Sequence, residues 1–214
     1  MILLTSAKMP DGLDKDTLAA AVALMFPNPE NEEYVEAIRS RANDVSACES
    51  LFALALLYEQ IRELSSAPAD SASLIFARSE LGKPYFKDSE IRFNISHSHG
   101  YVASAASIGE ELGVDIEASQ MSAERAVRMA KRYFCYHEQQ EIAKHPEIFA
   151  RKWSEKEAKA KFFGESIGNI LSIDQNSQNN ADLESLSLHK FSFENIPITL
   201  CTKRNFSTII FTAQ

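Results

Sequence analysis

Three strand-like runs follow one another so closely that they limit the folds open to this chain. They read IRFNISH (residues 91–97), YVASAASI (101–108) and LGVDIE (112–117), and only the short, turn-rich segments SHG and GEE separate them. Connections this short suit antiparallel strands, because parallel strands need a crossover of a dozen or more residues. The sequence therefore predicts a small antiparallel meander in which LGVDIE is the third strand.

Helical and strand-like segments surround this meander. Apolar residues recur every three to four positions in DKDTLAAAVALMF, EEYVEAIRSRA and SACESLFALALLYEQIREL before it, and in SAERAVRMAKRYFCYHEQQEIAK and PEIFARKWSEKEAKAKFF after it. The alternating runs LSLHKFSF, ITLCT and STIIFT follow, and the polar segments SSAPADSAS and DQNSQNNAD are predicted loops. The order of helices, sheet, helices and sheet predicts the α+β class.

Composition narrows the classes of function. The 214 residues are long enough for one core or two small packed halves, and the net charge of −8 argues against nonspecific nucleic-acid binding. Cys48, Cys135 and Cys201 lie far apart without CxxC spacing, so neither a disulfide framework nor a zinc site is expected. The opening MILLTSAKMPDG has only three apolar residues after its methionine, so we expect no signal peptide, no membrane span and a cytoplasmic protein.

Two acids in the third predicted strand share one face. Because strand side chains alternate, Asp115 and Glu117 lie on the side opposite Val114 and Ile116, with Cα atoms roughly 6.5 Å apart. Two carboxylates at that separation can converge on one cation. A strand with one solvated face accounts for the pair equally well.

A third acid lies on the apolar side of a distant predicted helix. Helical spacing places Glu157 in the same arc as Phe149, Trp153 and Ala160, and Lys161 follows one turn later. An ordinary ion pair between residues four apart is the simpler alternative. Three carboxylates with a nearby lysine nevertheless suggest a site for Mg²⁺ and phosphate, since Mg²⁺ prefers oxygen ligands.

Polar residues also cluster at the predicted hairpin and at one turn. FNISHSHGY supplies Asn94, Ser96 and His97 at a strand end, where they can bind phosphate or build the turn. Lys83 follows Gly82 in a Gly-Lys-Pro turn, where a lysine is usually a loop residue.

Four segments in order resemble the motifs of a known family. GKP (82–84), FNISHS (93–98), GVDIE (113–117) and KWSEKEAKAK (152–161) are similar to the motifs of the 4′-phosphopantetheinyl transferase superfamily, in its larger Sfp-like branch. The resemblance implies two similar α+β halves related by a pseudo-two-fold, each a small, mostly antiparallel sheet packed with helices. It places nucleotide contacts in residues 1–109, and the magnesium site and carrier-protein contacts in residues 110–214.

The resemblance also implies roles for single residues. Asp115, Glu117 and Glu157 would hold Mg²⁺, and Glu157, Lys161 and Asp115 would carry the catalysis. The coenzyme A contacts it implies are Lys83, Ser96, His97 and Lys161, with Lys161 at the pyrophosphate and His97 at the 3′-phosphate. An arginine that the branch usually has at the start of the long helix is missing, because Cys48 and Glu49 stand there; Arg39 and Arg41 are candidate substitutes.

The implied activity is transfer of the 4′-phosphopantetheine arm of coenzyme A to a serine of an apo acyl or peptidyl carrier protein, releasing 3′,5′-ADP. The serine proton would go to Glu157 or to a water bound by the metal. Carrier contacts are expected from Tyr133, Phe134 and Tyr136 with Lys131 and Arg132, and a monomer is expected. Two alternatives are a coenzyme-A-binding scaffold or regulatory protein of the same fold, and a Mg²⁺-dependent phosphohydrolase.

Overall fold

The computed structural model describes residues 1–64, 71–168, 185–203 and 208–214, and it confirms the α+β class. The helices in these ranges are α1 (Lys15–Met25), α2 (Glu32–Arg39), α3 (Asp44–Leu64), α4 (Ala123–Tyr133), α5 (Tyr136–Lys144) and α6 (Phe149–Phe163). The strands are β1 (Ile2–Lys8), β2 (Phe76–Arg78), β3 (Pro84–Phe86), β4 (Ile91–Ser98), β5 (Tyr101–Ile108), β6 (Leu112–Ile116), β7 (Leu186–Phe193), β8 (Ile196–Lys203) and β9 (Ile209–Ala213). The predicted loop at 174–182 and most of the one at 65–73 lie outside the described residues. Among the helices described, none is both long and apolar enough to cross a bilayer.

The predicted three-stranded meander is wrong in its third strand. β4 and β5 form the expected antiparallel hairpin, but β6 pairs with β8 in a separate sheet of order β6-β8-β7. The other edge of β5 is already occupied by β1, which pairs Ile2 with Ser107 and Lys8 with Tyr101. β1 was recognised in the sequence only as a short apolar run, so nothing there indicated that this edge was taken.

The two main sheets share one topology. The first has the order β4-β5-β1 with β9 added, and the second has the order β7-β8-β6. In chain order each follows the same path: a strand, a region that contains a long helix (α3 or α6), and then a hairpin whose second strand pairs with the first. This correspondence agrees with the two similar halves that the motifs imply. Because β9 pairs in parallel with β1, the second half also completes the sheet of the first.

A buried apolar core lies between the two sheets. Ile2 and Leu4 of β1 pack with Val114 of β6 and Leu200 of β8, and all four are fully buried. A larger core on the other side of the first sheet joins it to α1, α2 and α3. The first sheet is thus covered on both faces.

Polar side chains join the facing edges of the two sheets. The described strands β4 and β6 are edge strands, and alternate residues of β4 accept main-chain N–H groups from the segment that starts in β6. The three bonds run from Val114 N to Asn94 Oδ1 at 2.9 Å, from Ile116 N to Ser96 Oγ at 3.3 Å, and from Ala118 N to Ser98 Oγ at 3.0 Å. We call this set the polar ladder. It satisfies edge donors that would otherwise be buried without partners.

Gly113 allows helix α6 to lie directly on β6. A Cβ atom at this position would stand 2.3 Å from the carbonyl oxygen of Ala158 and 2.3 Å from the main-chain nitrogen of Phe162. Both are backbone atoms, so the helix itself would have to move. The glycine of GVDIE therefore sets the distance between the strand that carries Asp115 and the helix that carries Glu157.

We expect Gly113→Ala to destabilise the fold by about 1–3 kcal/mol, the usual cost of overpacking a close contact. Chemical denaturation monitored by circular dichroism would measure the change. Gly168→Ala is the matched control, since the added Cβ would only approach Ser166 Oγ to 3.8 Å. Equal stability of the two variants would contradict the close-approach role.

Candidate active site

A cleft of about 500 Å³ brings the predicted site residues together. Its walls come from β4, β6 and α6, from the turn before β3, and from the segment that joins α2 to α3. The residues that the resemblance assigns to Mg²⁺, coenzyme A and catalysis all line it: Lys83, Ser96, His97, Asp115, Glu117, Glu157 and Lys161. The cleft therefore lies where the two halves meet.

Asp115 is the most buried acid of the cleft, and a lysine already faces it. Only 5% of the residue is exposed. Its Oδ1 accepts hydrogen bonds from the Lys161 ammonium at 2.7 Å and from the Ser96 hydroxyl at 2.9 Å. Burial raises the pKa of the Asp115 carboxyl, and the bonds from Lys161 and Ser96 oppose that rise. Oδ2 has no hydrogen-bond partner within the described part of the chain, so one buried oxygen can still take a ligand.

The other two acids flank Asp115 in different environments. Glu117 follows β6, and its Oε1 accepts bonds from the Ser98 hydroxyl at 3.2 Å and from the Ser119 main-chain nitrogen at 2.8 Å. Glu157 is half-buried, and burial raises the pKa of its carboxyl; repulsion from Asp115 and Glu117 adds to the rise, and Lys161 opposes it. Negative charge is therefore concentrated beside a single nearby ammonium group.

Glu157 lies between two packed faces of α6. Phe149 belongs to the face that packs with α4 and α5, while Ala158 and Phe162 belong to the face that packs on the second sheet. Helical spacing identified the first face and placed Glu157 within it. The second face was missed, because it includes the polar Ser154, which is fully buried and donates a hydrogen bond to the Asp115 carbonyl.

The residues present fit a hard divalent cation. Asp115, Glu117 and Glu157 offer only oxygen donors, which Mg²⁺ prefers, and the unpartnered Asp115 Oδ2 is a buried oxygen that can accept a cation. Within the described ranges, no three His, Cys, Asp or Glu side chains already converge closely enough to form a metal site. Lys161 and the Ser98 hydroxyl hold two of the carboxylates, so coordination by all three would require side-chain rearrangement.

The far end of the cleft is built around His97. Its Nδ1 lies 2.8 Å from Glu49 Oε2, and its Nε2 lies 3.0 Å from Ser50 Oγ. The same Ser50 oxygen accepts a hydrogen bond from Arg41 at 2.8 Å. Sequence reasoning missed Glu49 and Ser50 as site residues, although a glutamate inside the apolar run ACESLFALA was a usable signal.

Of the two arginines considered from the sequence, Arg41 lines the cleft and Arg39 does not. Arg39 instead pairs with Glu36 and Asp16 on the surface. Arg78 also lines the cleft. Burial lowers the pKa of Arg41, and the nearby positive charge of Arg78 lowers it further. Two adjacent guanidinium groups, a serine and a histidine make this end of the cleft suited to an anion.

Comparison with known proteins agrees with the motifs. Residues 111–210 match the model of a family described as the 4′-phosphopantetheinyl transferase superfamily. Over this part of its length, the chain is similar to that superfamily. The matched residues include Asp115, Glu117, Glu157 and Lys161, whereas the predicted nucleotide contacts lie before them.

Three relatives within the transferase superfamily illustrate the extent of the similarity. The chain is 34% identical to "4′-phosphopantetheinyl transferase AcpT" of Escherichia coli over 134 residues, 60% of this chain and 66% of the relative. It is 28% identical to "4′-phosphopantetheinyl transferase gsp" of Aneurinibacillus migulanus over 174 residues, 78% of this chain and 68% of the relative. It is 37% identical to a putative 4′-phosphopantetheinyl transferase of Haemophilus influenzae over 93 residues, 42% of this chain and 38% of the relative. The aligned region thus spans slightly less than two thirds of the Escherichia coli relative.

Lys83, of the GKP motif, is held in place through its ammonium group. The group bonds to the Glu111 carboxylate, to the Leu112 carbonyl at 3.2 Å and to the Phe162 carbonyl at 2.8 Å. Burial lowers the pKa of Lys83, although Glu111 opposes that effect. An ammonium has only three hydrogens, so a nucleotide contact by this group would require one of these bonds to break.

The aromatic residues expected to contact a carrier divide into packed and exposed ones. Phe134 is buried, and Tyr133 packs edge-on against Trp153 with ring centroids 5.3 Å apart. Tyr136 is 76% exposed. Among the three, Tyr136 alone is free to contact a partner with most of its ring.

We expect Lys83→Met to lower the free energy of unfolding by about 1–3 kcal/mol, because two largely buried carbonyls and Glu111 lose their donor. Chemical denaturation would measure the loss. Lys87→Met is the matched control, since Lys87 makes only an exposed pair with Glu30 at 3.3 Å. A stable Lys83→Met protein with weakened coenzyme A binding would contradict the bracing role and support a direct nucleotide contact.

Proposed function

We propose that this protein transfers the 4′-phosphopantetheine arm of coenzyme A to a serine of an apo acyl or peptidyl carrier protein and releases 3′,5′-ADP. The observation that carries the proposal is the contact of Ser96, Asp115 and Lys161 beside Glu157, with one buried Asp115 oxygen unpartnered. This arrangement supplies both an ammonium and a cation-binding carboxylate in one cleft. Phosphoryl transfer depends on positioning and on neutralising charge, which these groups can do.

Lys161 would bind the pyrophosphate of coenzyme A. Its ammonium faces the cleft, where it can stabilise the negative charge that develops on the leaving phosphate. Asp115, Glu117 and Glu157 would hold Mg²⁺, which when bound supplies further positive charge at the pyrophosphate oxygens. Such a cation would also relieve the repulsion among the three carboxylates.

Glu157 is the candidate acceptor of the serine proton. Burial and its acidic neighbours raise the pKa of its carboxyl in the metal-free protein, whereas bound Mg²⁺ would stabilise the ionised form and make it a weaker base. The proton would pass to it directly or through one water. The hydroxyl oxygen of the carrier serine then attacks phosphorus, the bond to the ADP oxygen breaks, and 3′,5′-ADP leaves.

The nucleotide end of coenzyme A would lie in residues 1–109 and the carrier would contact residues 110–214. Ser96 and His97 are the proposed nucleotide contacts, with His97 at the 3′-phosphate. Lys83 lines the same cleft and would contribute its backbone and methylene groups.

Helix α4 and the residue that begins α5 offer a docking surface for an acidic carrier. Arg125, Arg128, Lys131 and Arg132 of α4 are exposed, and the exposed Tyr136 begins α5 three residues after α4 ends. A local cationic face of this kind can attract an acidic partner despite the overall charge of −8. We further propose that the protein acts as a monomer in the cytoplasm.

Incubation of the protein with coenzyme A, Mg²⁺ and a panel of apo carrier proteins tests the reaction. We expect one carrier to gain the mass of a phosphopantetheine arm, and Glu157→Gln to slow this gain by about 100-fold or more. The variant should be at least as stable as the wild type near neutral pH. Its amide cannot ionise, whereas the raised pKa of Glu157 means that ionisation disfavours the folded state.

Glu155→Gln is the control, because Glu155 pairs with Lys190 away from the cleft and should be dispensable for transfer. Near-normal transfer by Glu157→Gln would contradict the role of Glu157. Coenzyme A binding without mass gain on any carrier would favour a scaffold or regulatory protein, and 3′,5′-ADP release without a carrier would favour a hydrolase.

We expect Mg²⁺ to raise the melting temperature of the wild type. At about 100 times its dissociation constant, a ligand that binds only the folded state stabilises that state by about 2.7 kcal/mol. Asp115→Asn should abolish the shift, whereas Asp11→Asn, at an exposed acid, should keep it. Identical Mg²⁺ shifts in both variants, or none in the wild type, would contradict the metal assignment.

A further inference from the structure

We propose that Glu49 is a positioning residue for nucleotide binding: it orients the His97 imidazole so that the Ser50 hydroxyl can donate to a phosphate monoester in the cleft. The inference rests on the proposed function, because that phosphate would be the one on the ribose of coenzyme A. Glu49 lies in α3, a helix in which it is one of few charged residues among apolar ones, and only 4% of it is exposed.

The two oxygens of Glu49 have separate partners. Oε2 contacts His97 Nδ1 at 2.8 Å, and Oε1 accepts a hydrogen bond from the Gly100 main-chain nitrogen at 2.5 Å. These bonds hold the pKa of Glu49 below its usual value even though burial acts in the opposite direction. An ionised carboxylate can only accept hydrogen bonds, so Nδ1 of His97 must carry a hydrogen.

That assignment leaves two states for the other side of the ring. Ser50 Oγ accepts a hydrogen from Arg41, which has no acceptor, so the hydroxyl still has its own single hydrogen to donate. If His97 Nε2 is bare, Ser50 must donate that hydrogen to it. If Nε2 carries a hydrogen, Nε2 donates to Ser50 and the hydroxyl hydrogen is free to point into the cleft.

An anion in the cleft favours the state in which His97 Nε2 carries a hydrogen. The negative charge of Glu49 stabilises that state. The ionisable groups on this side of the cleft are Glu49 from α3 and Arg41 from the segment before α3. Arg78 lies near Arg41, and His99 in the β4–β5 turn lies near Glu49. Glu49 is the single anion among them, so it balances an imidazolium that would otherwise lie next to Arg41. Glutamine at position 49 would lose this balance, and its amide could present a donor to Nδ1 and so favour the wrong tautomer.

Calorimetric binding of coenzyme A and of 3′-dephospho-coenzyme A to the purified protein tests the inference. The dissociation constant of 3′-dephospho-coenzyme A divided by that of coenzyme A measures how strongly the protein recognises the 3′-phosphate. We expect Glu49→Gln to reduce this ratio about tenfold, as for loss of one charge-assisted hydrogen bond. Glu59→Gln is the matched control, because Glu59 lies on the same helix but makes an exposed pair with Arg62. It should leave the ratio unchanged.

A double variant shows whether Glu49 positions His97 or only stabilises the β4–β5 turn through its bond to Gly100. If Glu49 acts through His97, Glu49→Gln should cost no further discrimination in a protein that already carries His97→Asn. A purely structural role, through the bond to Gly100, would weaken both nucleotides equally and keep the ratio, and that outcome would overturn the inference. A wild type that binds neither nucleotide would instead overturn the proposed function and the inference with it.

Discussion

The polar ladder between β4 and β6 is the interaction on which the rest of the structure depends. It joins two sheets whose edges do not pair through their backbones, and it places the strand of Ser96 beside the strand of Asp115. Ser96 accepts the Ile116 N–H and donates to the Asp115 carboxylate, so one hydroxyl both joins the halves and orients the central acid. Assembly of the two halves and assembly of the cleft are therefore the same event.

The cleft concentrates charge at the expense of stability. Burial and mutual repulsion raise the pKa of Asp115 and Glu157, so their ionised forms are less stable in the folded protein than in the unfolded chain. Above their raised pKa values, both ionised groups therefore lower the free energy of unfolding. A lower pH or a bound positive charge would restore that stability. Lys161 supplies one such charge. The unpartnered Asp115 oxygen indicates that a single ammonium does not satisfy the site.

Local patterns in the sequence predicted much of this structure, and distant contacts account for what they missed. β5 and β7 have their predicted bounds, since alternation within a strand is a local property. The partner of β6 was not predictable locally, because it depends on β1 occupying the edge of β5. Asp115, Glu117 and Glu157 stood out as acids among apolar neighbours. Glu49 also lies among apolar neighbours but was not recognised as a site residue, because its role depends on His97, which contacts it only in the folded chain.

The parallel pairing of β1 with β9 has a consequence for how the chain is made. Ile2 pairs with Ile209, so the edge of the first sheet is closed by residues that leave the ribosome long after β1. Until then, β1 can pair with β5 on one side while its other edge stays open to unintended strands. Contacts this distant in sequence also form slowly. The nascent chain thus carries an unpaired edge on β1 until β9 has been synthesised, and a chaperone that covered this edge would prevent incorrect pairing.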